Sequence, residues 1–408
     1  MRVKHTPHSF EGFPVYSSTF ISDNQVVFGG GGGASKSGIK NKLASHSSSV
    51  VPRMNFAKDG QQRLYAVGED LSIDLQDEFE LAKGEDAPMS MAAHPKASDL
   101  ACGVNSAPEQ VEKGLNENCR VFNVKDKKIS LVRTQGTLEL RAGEDDFQKV
   151  TVFSPNGTML AVAGPQTLHL LAYPSLAPVA TPVTTEQEIY DVIVATTANL
   201  QVYSVPEVAE TVAGSSPNKK GKQKAKNTTG VAALKLEKTI DVPSNLAGNS
   251  GGTFRSVRQH PTDPDVLYTI INTAPPRTRS KSAPRQGYVC KWDTKAWTVE
   301  KLKKVGDGGL VCFSSSPDGK FLGYGSSDLS VGLLDANTLA SVSTILKAHD
   351  FPPTTVVFNP TSKFLASSSA DNSIRVVRLP EQVASSGKSL KHCIASHADM
   401  DVQAGDSW

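Results

Sequence analysis

Apolar positions along this chain fall in short runs of Val, Ile, Leu and Phe, separated by Gly, Pro, Asn, Asp and Ser. No stretch sustains a helical period, so the pattern predicts many short strands. One phrase recurs: an apolar strand ending in x-Pro, a turn, then a second apolar strand ending in small residues. Its instances are "MSMAAHPKASDLACGV", "VTVFSPNGTMLAVAG", "SVRQHPTDPDVLYTII", "VCFSSSPDGKFLGYGSS" and "VVFNPTSKFLASSS", marked by Pro95, Pro155, Pro261, Pro317 and Pro360. The gap from Pro155 to Pro261 is about twice the others, which places a concealed unit between them. There "EIYDVIVATTANLQVYSV" (188–205) supplies apolar strands without the x-Pro turn, so this fourth unit is expected to be shortened.

The phrase reads as a β-hairpin. Proline presets φ at the turn, and Asn-Gly or Asp-Gly supplies residues that tolerate positive φ. A third strand follows ("CRVFNV", "TLHLLAYP", "YVCKWD", "SVGLLD", "SIRVVRL"), and a fourth closes the unit, as "SVSTILKAHD" does after "SVGLLDANTLA". Four strands in roughly 40 to 60 residues is the make-up of a β-propeller blade. The five marked units, the concealed one and the N-terminal "PVYSSTFISDNQVVFGGGGG" predict an all-β, seven-bladed β-propeller of degenerate WD repeats. "SSDLSVGLLD", "SSADNSIRVVRL" and the Trp292-Asp293 pair are its most WD-like pieces. One propeller domain is expected over residues 1–380, with a polar tail over 381–408.

Composition narrows the function classes. The chain has 408 residues and a formal net charge of +2, so any attraction to nucleic acid has to come from a local patch. Five scattered cysteines without a CxxC pair fit reduced, structural thiols, and Cys312 in "LVCF" reads as core. No apolar run reaches the roughly 18 residues that span a bilayer, and the N-terminus has no signal-peptide core. Two basic insertions interrupt the strands. "GSSPNKKGKQKAKNTTG" (214–230) carries five lysines and no acid, and the segment 273–287 carries Arg277, Arg279, Lys281 and Arg285. Both read as solvated loops, the alternative being a contact to anionic lipid or nucleic acid.

Catalytic signatures are missing: there is no G-x-S-x-G elbow and no H-E-x-x-H. His94 and His260 precede hairpin prolines, and Asp328 and Asp371 sit in tight turns; all four read as structural hydrogen-bonding residues. The remaining feature is the glycine run of "VVFGGGGGASKSGIKNKL" (26–43). Gly29-x-Gly31-x-x-Ala34 matches a dinucleotide fingerprint in letters, but no helical pattern follows to bind a pyrophosphate. Lys36 follows serine, so the P-loop spacing fails as well. Two readings stay open. One is a flexible loop that binds nothing. The other is a loop whose inward carbonyls, with the Asn41 side chain, hold a hard monovalent cation.

These residues resemble a known family. Pro14-Val15-Tyr16, the strand ending at Phe28, the glycine run, and Gly38-Ile39 followed by Asn41 are similar to the first blade of a group of proteins at the endoplasmic reticulum (ER). These are the guanine-nucleotide exchange factors that start COPII coat assembly, among them the prolactin regulatory element-binding proteins. The resemblance implies a propeller on the cytosolic face of the ER membrane. It implies exchange of GDP for GTP on the Sar-type small GTPase without covalent chemistry, and no nucleic-acid partner. It further implies a protruding first-blade loop held by a potassium ion, with Gly29, Gly30, Gly31, Gly32, Gly33 and Asn41 as the potassium loop. Gly33, Ala34, Ser35, Lys36, Ser37, Gly38 and Ile39 would then contact the GTPase. Members normally end in a membrane-spanning helix, so attachment to the ER is expected through a segment absent from this chain. A WD-repeat scaffold without exchange activity is the alternative function.

Overall fold

Antiparallel pairing of neighbouring segments generates the whole architecture. The computed structural model describes residues 3–31, 61–140, 146–191, 194–205, 232–247, 251–273 and 285–381. Among these residues, strands make seven four-stranded sheets. The first strand is β1 (His5–Ser9). Blade 1 follows as β2 (Val15–Ser22), β3 (Gln25–Gly30), β4 (Gln61–Val67) and β5 (Ile73–Glu80), in that spatial order. Blades 2 to 6 repeat the up-and-down order, starting from inner strands Ser90–Ala93, Val150–Phe153, Ile189–Asp191, Gly252–Gln259 and Leu310–Ser315. Inner strands of neighbouring blades pack side by side around most of the ring, as a propeller requires. The expected seven-bladed, all-β fold is what the chain forms.

Blade 7 is closed from the other end of the chain. Its strands Pro353–Phe358, Phe364–Ser369 and Ser373–Arg378 take β1 as their outermost partner, in the register His5↔Val377 to Ser9↔Ser373. The sequence pattern does not reveal β1, because "HTPHS" is a half-exposed edge strand without apolar alternation. The shortened fourth unit is a complete sheet. Its inner strands Ile189–Asp191 and Val194–Thr196 have three residues each, and its outer strand Lys235–Asp241 lies beyond the first basic insertion. Of the two insertions, 214–230 lies outside the described residues. The second is flanked by blade 5 strands ending at Thr273 and starting at Gln286, and residues 274–284 lie outside the described set. Residues 382–408 of the tail also lie outside it.

The core is divided among the seams. Seven hydrophobic clusters occur among the described residues, one at each contact between adjacent blades. Blade 1 meets blade 7 through Val15, Phe28, Tyr65 and Leu71 against Phe364, Ile374 and Val376. The smallest cluster, Val150, Ala161, Ala163, Leu168 and Ile189, joins blade 3 to the short blade 4.

Polar stitches supplement these clusters. Ser18 Oγ and Thr355 Oγ1 lie 2.5 Å apart across the blade 7–blade 1 seam, and Ser17 Oγ donates to the Pro88 carbonyl of the blade 1–blade 2 link at 2.6 Å. At the hairpin turns, His94 Nδ1 accepts from the amides of Lys96 and Ala97, while its Nε2 lies 3.0 Å from the Gly157 carbonyl of the next blade. His260 Nδ1 likewise accepts from Asp263 N–H at 3.0 Å, and its ring covers Gly319. Asp328 and Asp371 each accept a backbone N–H two residues on, from Ser330 (3.0 Å) and Ser373 (2.8 Å). The histidines and aspartates are therefore structural, as their turn positions suggest.

Candidate functional site

The glycine run begins inside a buried strand. Val26, Val27 and Phe28 of β3 have no exposed surface, and β3 pairs with β2 on one side and β4 on the other. Gly29 and Gly30 are its last two residues and lie in both ladders, opposite Ser17 and Val15, and opposite Gln62 and Gln61. A Cβ on Gly30 would stand 2.1 Å from the Pro14 carbonyl oxygen, so no other residue fits without moving backbone. Gly31 is the first residue beyond the ladder. Its φ is +101°, and its N–H donates to the Pro14 carbonyl at 3.0 Å. Gly32, Gly33, Ala34, Ser35, Lys36, Ser37, Gly38, Ile39 and Asn41 lie outside the described residues. Of the six expected potassium-loop residues, the structure therefore places Gly29, Gly30 and Gly31 together at the exit of the insertion.

The chain re-enters at β4 with three buried polar side chains, Gln61, Gln62 and Arg63. Because strands alternate in direction, the exit after Gly30 and the re-entry at Gln61 share one face of the ring with the Phe10–Pro14 link into blade 1. Arg63 is 2% exposed. Its Nε lies 2.7 Å from Glu78 Oε2 on β5, an ionic contact rather than an aligned hydrogen bond. Its Nη2 donates to Gln61 Oε1 at 3.2 Å, and its guanidinium sits 4.1 Å from the centroid of the Phe13 ring. Phe13 belongs to an aromatic group with Phe10, Phe28 and Tyr65, whose successive centroids lie 5.2–6.4 Å apart. Burial pushes the Tyr65 hydroxyl up to about 12, against the opposing pull of the Arg63 charge. Gln62 donates to Cys102 Sγ at 3.1 Å, and its Oε1 is a buried acceptor without a hydrogen-bond partner among the described residues.

Sequence reasoning found the exit of the insertion and missed its foundation. The available signal was "QQR", a polar triplet opening a third strand where "CRVFNV" and "SVGLLD" carry more apolar residues. Among the described residues no group of three or more His, Cys, Asp or Glu is placed to hold a metal ion. No helix among them is long and apolar enough to cross a membrane.

Seven four-stranded blades, closed by an N-terminal strand and carrying a glycine-ended insertion on one face, define a WD-type propeller. Residues 340–377, the outer strand of blade 6 and the first three strands of blade 7, match the WD domain, G-beta repeat family. Similarity over most of the chain narrows the class: the propeller is similar to proteins named SEC12. The chain is 22% identical over 387 residues to the Candida glabrata guanine nucleotide-exchange factor SEC12, covering 94% of this chain and 74% of that protein. It is 24% identical to the Rattus norvegicus guanine nucleotide-exchange factor SEC12, covering 85% and 82%. It is 23% identical to the Arabidopsis thaliana SEC12-like protein 2, covering 74% and 67%.

Proposed function

We propose that this chain is a guanine nucleotide-exchange factor for the Sar-type small GTPase, acting on the cytosolic face of the ER membrane to start COPII budding. The observation that carries the reading is the likeness of most of the chain, propeller included, to proteins named guanine nucleotide-exchange factor SEC12. The glycine-ended insertion in blade 1 is its candidate working part. Exchange makes no covalent bond. A factor that binds the nucleotide-free GTPase better than the loaded one lowers the barrier to GDP release by that difference. A stiff protruding segment favours this role, because little affinity is lost in ordering it.

The potassium ion belongs to the same reading. The residues that would hold the ion are Gly29, Gly30, Gly31, Gly32, Gly33 and Asn41, through hard oxygen donors, since a carbonyl paired in a strand ladder keeps a second lone pair. A bound cation would gather their oxygens and stiffen a glycine-rich segment. Residues 33–39 would then meet the GTPase.

The test is GDP release from a purified Sar-type GTPase. Catalytic amounts of this protein should accelerate release, faster in potassium than in tetramethylammonium. Deleting residues 33–38 should abolish the acceleration and leave the β-type circular dichroism unchanged. Binding of the GTPase without faster release would make the protein a scaffold instead.

A further inference from the structure

We propose that Arg63 is a positioning residue for exchange: buried at the base of the blade 1 insertion, it fixes, through Phe13 and Gln61, the direction in which that insertion leaves the propeller. This rests on the exchange reading above.

Both ends of the insertion converge on two residues, Phe13 and Pro14. On the exit side, Gly31 N–H bonds the Pro14 carbonyl, and Gly30 lies so close to that oxygen that any side chain would force the backbone to move. On the return side, Arg63 presses its guanidinium on Phe13 and holds Gln61, the first described residue after the insertion. Gln61 in turn donates to Glu80 at 3.4 Å, and Arg63 is countered by Glu78, whose side chain keeps 24% exposure. The group thus ties the exit, the return and the link from β1 into one block.

A buried cation is a poor choice for stability alone. Apolar replacements of buried ion pairs are often neutral or stabilising. What a guanidinium offers is direction: a rigid, planar fork that bonds at set angles and stacks flat on an aromatic ring. An apolar side chain of similar length would fill the space beneath Phe13 but would leave the Gln61 side chain held only by its long 3.4 Å bond to Glu80 among the described residues. Among the described residues Arg63 touches Phe13, Gln61, Tyr65 and Glu78, so the route by which it would act on the partner is the geometry of the insertion.

The experiment uses the whole chain with the substitutions Arg63→Met, Arg63→Lys and Glu78→Gln. Three measurements are made: melting temperature, the dependence of GDP-release rate on exchange-factor and GTPase concentration, and amide hydrogen exchange. Arg63→Met should keep cooperative melting yet lose about tenfold or more in maximum rate, with KM for the GTPase within about twofold of wild type. Arg63→Lys keeps the charge and loses the fork, so it should recover part of the rate. In Arg63→Met, amides of residues 29–31 and 61–63 should exchange faster while those of blade 5 stay as in wild type. A wild-type maximum rate in Arg63→Met overturns the proposal, as does a change confined to KM. If Arg63→Met fails to fold, Glu78→Gln is read against the same outcomes. If the wild-type protein itself does not accelerate release, the exchange reading fails on its own. Unchanged protection at residues 29–31 would then refute the positioning role independently.

Discussion

Gly30→Ala is the sharpest test of how the insertion is seated. The added Cβ would sit 2.1 Å from the Pro14 carbonyl oxygen and 3.2 Å from Phe13 Cζ. Ordinary carbon contacts lie near 3.5 Å, so the carbonyl has to retreat by about 1 Å. Overpacking of this kind costs about 1–3 kcal/mol. The same carbonyl accepts the Gly31 N–H at 3.0 Å, and losing that bond adds about 1 kcal/mol. The sum, about 2–4 kcal/mol, corresponds to a melting point lowered by about 3–5 °C in a chain of this size. At 20 °C the variant remains folded, so a GDP-release assay there isolates the geometric effect. We expect at least about a tenfold loss of rate, because a misplacement near 1 Å is passed directly to the insertion. An unchanged melting point would show that the Pro14 link yields freely. An unchanged exchange rate in a destabilised variant would show that the seat of the insertion is irrelevant to its work.

Other expectations follow from the seams and the buried groups. Gly319→Ala places a Cβ 2.5 Å from the His260 ring at a φ of +71°, so it should lower stability by about 1–3 kcal/mol while leaving exchange by the folded protein intact. A thermal melt paired with the release assay checks both halves. Burial pushes the Cys119, Cys290 and Cys312 thiols up to about 12, and Cys102 is raised as well. The buried Cys102, Cys119 and Cys290 should therefore stay silent to a thiol reagent at pH 8 until urea is added, as titration in the two conditions will tell. Burial also lowers the His349 imidazole to about 4, from an ordinary value near 6.5. The unfolded chain then binds the extra proton first, so stability is complete above about pH 6.5 and falls as pH drops toward 4, by about 3 kcal/mol. Urea midpoints across that range should slope less in His349→Gln than in wild type; equal slopes would exclude His349 as the source.

The hairpin pattern made the propeller legible because each x-Pro turn is local chemistry, written within a few residues. Blade 4 was harder to read: its inner strands are only three residues long, too short for alternation, and its outer strand lies beyond the basic insertion. The strand β1 was not legible at all, since its partner lies more than 360 residues away in sequence and its own residues are half exposed. For the candidate site, the glycines announced the exit of the insertion, while the foundation stayed hidden. Arg63 looks like any surface charge until the fold brings Phe13 over it. A residue's partners across strands are set by register, which composition does not encode.

The origin of β1 also bears on the order of assembly. Blade 7 receives its outermost strand from residues 5–9, and it can do so only after Ser373–Arg378 has been synthesised. Until then β1 has no partner, and closing so long a stretch of chain comes late in folding. Residues Phe10 to Pro14 run straight on from β1, and Phe10 N–H bonds the Asn372 carbonyl of blade 7. The seat beneath the insertion is thus completed by the same event that completes the ring. An unfinished or C-terminally broken chain would carry the glycine segment without its seat, which ties the footing of the insertion to the integrity of the full propeller.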